Sequence, residues 1–156
     1  QKYRFKNIIS CTADNPLIDA NYAKKILKFH KQKKNDLTTN LTLPIGMFAY
    51  AIKTESLKKI IKTKNSKNTE TWVEYFQKMK NLKTDDYGKP KIKENLRLTI
   101  DYIEDYKTVN QVLKNSSSEF PRVNDILKLS KKKPCIFKIN SHTKQKVVVK
   151  PKFKKI

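Results

Sequence analysis

The chain has 156 residues, of which 37% are hydrophobic and 10% aromatic. That suits one domain with a real core and excludes a disordered polyelectrolyte, despite a formal net charge of +22. The longest apolar run, residues 41–52, is interrupted by Pro44 and Gly46 and falls short of the ~20 residues a bilayer-spanning helix requires.

Residues 4–12 read as a buried strand through Phe5, Ile8 and Ile9. Asp19 is a candidate N-cap for an amphipathic helix over 20–34, with Ala23, Ile26, Leu27 and His30 at helical spacing and Lys31 to Lys34 at its positive end. Two strands follow, 37–43 and 47–53, around a Pro44–Gly46 turn. Thr54 is expected to cap a short helix carrying Leu57, Ile60 and Ile61. The next helix spans 70–82, with Trp72, Val73, Phe76 and Met79 on one core-facing side. DDYGKPK (85–91) reads as a turn-forming loop, with Gly88 and Pro90 as breakers.

NLRLTI (95–100) has the marks of a second buried strand, ending in Asp101. Helices over 103–113 and 123–129 come next, the second ended by KKKP. CIFKIN (135–140) reads as a strand, and a β-prone VVV precedes a loosely ordered basic end. Strands alternating with helices point to an α/β layered sheet. The expected organisation is one domain over 1–140 and a basic tail over 141–156. Trp72 and Cys11 are expected to pack. His30 and His142 stand without matched acids or nucleophiles. The distant pair Cys11 and Cys135 supports neither a zinc nor a redox site, and no signal-peptide pattern opens the chain, so reduced thiols in a cytoplasmic protein are expected.

Asp14 and Asp101 share one context: each follows an apolar strand and precedes a helix. In open α/β sheets the carboxyl ends of strands line the ligand crevice. Aspartates from two strands can there face one Mg²⁺, a hard cation that keeps several waters and bridges one or two carboxylates to substrate phosphates. The simpler alternative is that each aspartate caps its helix or closes a turn.

The residues TADNPLID (12–19), then Asp36, Asn40, Pro44 and Gly46, resemble the cytidylyltransferases that make CMP-activated sugar acids, the CMP-3-deoxy-manno-octulosonate synthetases and the spore-coat polysaccharide biosynthesis protein F type. RLTIDYIEDY (97–106) is similar to their second motif, TETWVEYF (69–76) to an intervening one, and the stretch from Pro134 to Asn140 to their ending. The resemblance implies a nucleotide-diphospho-sugar transferase (GT-A-like) fold: a three-layer, mostly parallel sheet flanked by helices. It implies transfer of CMP from CTP to a sugar acid with release of pyrophosphate, in surface polysaccharide or glycan precursor synthesis. It assigns Mg²⁺ to Asp14 and Asp101 and substrate contacts to Asn15, Pro16, Gly46 and Arg97, with Glu104 and Asp105 as second choices. A homodimer is a candidate assembly.

Several residues depart from the family pattern. Ser10 stands where an arginine is usual, Thr71 where a histidine is, and Tyr50 where an acidic residue is. The family's glycine-containing triphosphate loop has no counterpart, since Gly46 and Gly88 are the only glycines. The N-terminal part of the fold is therefore expected to be missing and the chain alone to be inactive in transfer. Two other readings compete. One is a degenerate partner subunit of a transferase. The other is a non-catalytic domain binding nucleic acid or another polyanion, with Tyr3, Phe5, Tyr102, Tyr106 and Phe153 as stacking rings. Against a nucleic-acid partner stands the kind of base: all but Arg4, Arg97 and Arg122 are lysines, spread along the chain.

Overall fold

The computed structural model describes residues 4–65, 72–90, 92, 94–144 and 152 and is built on a four-stranded sheet. Its strands are β1 (Asn7–Ser10), β2 (Leu37–Thr39), β3 (Tyr50–Lys53) and β4 (Thr84–Asp86), in the order β1-β3-β2-β4. β3 runs antiparallel to both β1 and β2, and only β2 and β4 are parallel. The expected mostly parallel sheet is therefore corrected to a mixed one. Between β2 and β3 the chain turns at Pro44 to Gly46 within residues 40–49, a connection without a crossover helix, so the returning strand pairs antiparallel.

Helix α1 (Ala20–Lys33) begins and ends close to where its sequence signals stand. Asp19 is the N-cap, accepting from the backbone N–H of Asn21 at 2.8 Å and Tyr22 at 3.4 Å. Its other oxygen accepts from Val123 N–H at 3.1 Å, at the start of α5 (Val123–Lys132). One buried carboxylate thus serves two helix N-termini, where both the free N–H groups and the helix dipole favour negative charge. At the other end Lys34 takes a left-handed conformation with φ 53°, and Asn35 N–H closes on His30 O at 3.1 Å.

The side-chain alternation of β3 separates two cores. Ala51 packs with Ala49 and with Ile26 of α1, while Ile52 packs with Leu37, Ile60, Tyr75 and Phe76. The latter come from α2 (Thr54–Thr63) and α3 (Trp72–Lys78) among others. A third cluster joins Leu96 and Leu98 to α4 (Ile103–Asn115), α5 and α6 (Pro134–Lys138) through Val109, Val112, Ile126, Ile136 and Phe137. Trp72 sits edge-on between Tyr50 and Phe76, as a packing residue should. No helix among the described residues is long and apolar enough to cross a membrane.

Five local expectations change. CIFKIN is not a strand: Pro134 opens the short helix α6, where its missing N–H costs nothing, and Ile136 and Phe137 are buried as helical neighbours. Asp85 and Asp86 belong to β4, because Thr39 Oγ1 and Leu41 N–H both donate to Asp86 and anchor that polar segment beside β2. Residues 95–100 are extended but meet Ile45 in a single parallel bridge, so they form no strand of the sheet. Thr54 is the first residue of α2, not its cap; its hydroxyl donates to Phe5 O and Lys6 O, and Ile61 is exposed. Cys11 lies just beyond β1 and is exposed. Tyr3, Thr71, Phe153, the VVV run and the terminal Lys150, Lys154 and Lys155 lie outside the described residues.

His30 is nearly sealed from solvent and ties α1 to two strands. Its Nε2 pairs with Asn7 Oδ1 at 3.1 Å and its Nδ1 with Thr38 Oγ1 at 3.0 Å, while Asn35 Nδ2 donates to the same Thr38 oxygen. Asn7 Oδ1 only accepts, so the consistent tautomer is a neutral ring with the proton on Nε2. Burial pushes the imidazole below its ordinary pKa of 6.5, the Asp36 charge opposes that, and Lys53 and Lys31 reinforce it.

Gly46 shows a different constraint. Its φ is +95°, and a Cβ there would fall on Thr99 N and the Leu98 carbonyl carbon, far inside contact distance. Backbone atoms cannot step aside, so Gly46→Ala is expected to cost more than ~4 kcal/mol and to lower the urea midpoint sharply or prevent folding. A titration tests the histidine. Because the folded pKa lies below the unfolded one, the unfolded chain binds the proton first; stability is full above about pH 6.5 and falls on acidification. Urea melts should show stability falling from pH 6.5 to 5.5, by at most about 1 kcal/mol, and His30→Gln should flatten that slope.

Candidate functional site

Arg97 and Asp105 organise the region around both candidate aspartates. Arg97 is 8% exposed and Asp105 fully buried. The guanidinium donates from Nε to Asp105 Oδ1 at 2.8 Å and from a terminal nitrogen to Asp105 Oδ2 at 2.9 Å, a two-pronged pair. The same terminal nitrogen reaches Asp101 Oδ2 at 2.7 Å. Asp105 accepts further bonds from Asn140 Nδ2 at 2.7 Å and from the N–H groups of Asp101 and Tyr102. It stands in the first turn of α4, where a carboxylate also complements the helix dipole. Burial opposes its ionisation, but Arg97, Asn140 and the Asp101 N–H together outweigh that and hold its carboxyl below the ordinary range.

Asn140 completes the arrangement, because its amide also donates to Arg97 O at 3.0 Å. Residues 97–105 are thereby locked to the segment after α6. The role of Asn140 was not assigned from sequence; the signal available was its place at the end of the Pro134–Asn140 stretch.

The backbone brings Asp14 to this assembly. Ile100 N–H donates to Asp14 O at 2.9 Å, and Thr99 Oγ1 lies 3.5 Å from the same oxygen. Asp14 and Asp101, far apart in the chain, thus sit on paired stretches of backbone just beyond the end of β1. Their carboxylates differ in setting. Asp14 is exposed, and its charge contributes, after burial, to raising the Tyr50 phenol above its ordinary pKa. Asp101 is held on one oxygen by Arg97.

Of the other sequence candidates, Asn15 closes a turn on Thr12, its N–H on the carbonyl at 3.1 Å and its side chain on the hydroxyl at 2.8 Å. Pro16 is exposed and borders a pocket of about 450 Å³ with Leu113, Phe120 and Pro121. Gly46 is buried, and the close approach that requires glycine there is to this chain's own Leu98–Thr99 backbone. Glu104 is in the first turn of α4, its carbonyl accepting from Thr108. Asp105 is the buried partner of Arg97, so its oxygens are turned to holding the fold. Asp36 and Asn40 also serve the sheet. Asp36 accepts from Ser56 Oγ and Lys83 N–H, while Asn40 donates to Lys89 O at 3.2 Å.

No group of three or more His, Cys, Asp or Glu side chains is poised for a metal among the described residues. A tightly caged transition metal does not fit here. Asp14 and Asp101 would offer a hard cation two carboxylates on neighbouring backbone, one exposed and one bonded to Arg97, its other ligands coming from water and phosphate.

No protein-family model matches the chain, and no curated protein does. Among solved structures, a cytidylyltransferase from Leptospira borgpetersenii serovar Hardjo-bovis has a similar fold, with a TM-score of 0.76 and 24% sequence identity. The match covers 95% of this chain and 63% of that one.

Removing one member of the buried pair should be costly. Asp105→Ala leaves the Arg97 charge buried with less compensation, and a loss of about 3–5 kcal/mol is expected in chemical denaturation at pH 7. Acid should mimic it. The folded pKa of Asp105 lies below the unfolded value near 3.8, so its contribution is full above that value and lost as pH falls below it.

Proposed function

We propose that the chain is a nucleotidyltransferase of the cytidylyltransferase type, acting on CTP and a sugar acid in the cytoplasm, in the synthesis of a surface polysaccharide or glycan precursor. In this reaction a hydroxyl oxygen of the sugar acid attacks the α-phosphorus of CTP and gives up its proton to solvent. The bond from that phosphorus to the bridging oxygen breaks, and pyrophosphate leaves with the electron pair.

The observation that carries this reading is the hydrogen bond from Ile100 N–H to Asp14 O, which sets the two aspartate segments side by side. The fold shared with the Leptospira cytidylyltransferase supports it independently. Asp14 and Asp101 would hold Mg²⁺, which when bound offsets triphosphate charge and stabilises the charge developing at the α-phosphate. Arg97 is a positioning residue: it fixes one Asp101 oxygen and leaves the carboxylate's orientation little freedom. The Thr12–Asn15 turn and Pro16 shape the loop that carries Asp14 beside the nucleotide.

The test is binding. Calorimetric titration with CTP should give a measurable affinity with Mg²⁺ and a much weaker one with EDTA. Asp14→Ala and Asp101→Ala should each weaken the Mg²⁺-dependent part at least about tenfold, or about 1.4 kcal/mol. Unchanged Mg²⁺-dependent binding in both folded variants would remove the site assignment.

A further inference from the structure

At the end of β1 opposite Asp14 the structure forms a groove of about 1040 Å³. Its walls come from four places in the chain: the segment entering β1, the last turn of α1, the end of β3 and the start of α2. They bring six cationic side chains together, Arg4, Lys6, Lys31, Lys34, Lys53 and Lys58. The single carboxylate of the lining, Glu55, is already taken by Lys58 at 2.6 Å, and Lys53 has Asp36 at 3.8 Å. Arg4, Lys6, Lys31 and Lys34 have no acidic partner within 4 Å among the described residues, and all four are exposed. The Phe5 ring, 63% exposed, stands in the same wall.

We propose that this groove is a second anion site, separate from the aspartate pair, that takes single-stranded nucleic acid: phosphates along Arg4, Lys6, Lys31 and Lys34 and a base against Phe5. Four uncompensated cations converging on one volume concentrate positive potential where a lysine-rich surface alone would spread it. The volume lies at the upper limit of pockets that enclose a single small ligand, which favours a chain with several phosphates over one phosphate group. The cations are mostly lysines, point charges without the planar fork that reads base edges, so recognition follows the backbone and tolerates any sequence. An exposed aromatic beside a cationic groove is the arrangement on which unpaired bases stack. The proposal does not depend on the transferase reading, since no groove residue belongs to the aspartate site.

The experiment is fluorescence anisotropy with a labelled 12-nucleotide oligo-dT over a salt series, on the whole chain. Saturable binding is expected, with log affinity falling against log salt at a slope of about −3, four phosphate contacts at about −0.7 each. Lys31→Glu with Lys34→Glu should weaken binding more than about tenfold and flatten the slope by about half. Lys128→Glu with Lys132→Glu on exposed positions of α5 makes the same charge change away from the groove and should stay within about twofold. Phe5→Ala, which leaves the charge alone, should cost about fivefold or more. Circular dichroism melts check that each variant is folded. Equal losses from both lysine pairs would reduce the effect to net charge and overturn the site. So would full competition by CMP at equal nucleotide concentration, or no saturation at 50 mM salt.

Discussion

A guanidinium and a carboxylate that are both nearly shut off from water remain charged only when each fills the other's hydrogen-bonding positions. Arg97 and Asp105 do this with two parallel bonds, and the remaining lone pairs of Asp105 are taken by Asn140 and two backbone N–H groups. Because those partners come from the 97–102 segment, the start of α4 and the segment after α6, their geometry is settled together. The direction of the Asp101 side chain follows from it, since Arg97 holds one of its oxygens. So does the height of Ile100, whose N–H meets Asp14. The segments that carry Asp14 and Asp101, distant in sequence, therefore rest on a polar joint that is nearly closed to solvent.

Gly46 adds the steric half of that constraint. The backbone of residues 98–99 can pass against residue 46 only because no Cβ stands between them, and the bridges from Ile45 to Leu96 and Leu98 fix the approach. Leu98 is then carried into the core against Val112 and Ile126, while Arg97, one residue earlier, turns toward α4. Alternating side chains on a short extended segment thus give one residue to packing and the next to the ionic joint. Asp19 performs a comparable service for α1 and α5, whose N-termini share its carboxylate.

What the sequence made legible was local chemistry of short range. Asp19 before a periodic apolar run and lysines after it marked α1 to within a residue, because capping and dipole effects act within one helical turn. The hydrogen bond from Ile100 to Asp14 brings the backbone of the two aspartate motifs together, a contact between distant segments that only the fold supplies. CIFKIN was misread because six residues hold too little periodicity to separate strand from helix, and burial of Ile136 and Phe137 in a helix opened by Pro134 decides the matter. The pairing of Asp85 and Asp86 in β4 was hidden for the opposite reason: polar residues in a strand are explained by partners that only the fold supplies. The resemblance implied a substrate contact for Arg97, and burial sets its guanidinium against Asp105 and Asp101.

The spread of lysine along the chain argued from sequence against a dedicated basic patch, and most of those lysines do lie on open surface. Three segments distant in sequence, within residues 4–8, 30–35 and 53–58, nonetheless converge at one end of β1, so even spacing in the chain does not imply even spacing in space. The distribution of base types follows a physical division. Of the three arginines, the one whose fork is fully used, Arg97, faces inward, where planar bidentate geometry is worth most. Lysine dominates the surface, where attraction to anions needs charge but little geometry. β1 consequently has opposite charge at its two ends: the carboxylates of Asp14 and Asp101 on one side and a groove of lysines with Arg4 on the other. Salt screens the second far more than the first, since exposed charges more than about 8 Å apart interact weakly at physiological ionic strength while buried pairs are screened much less.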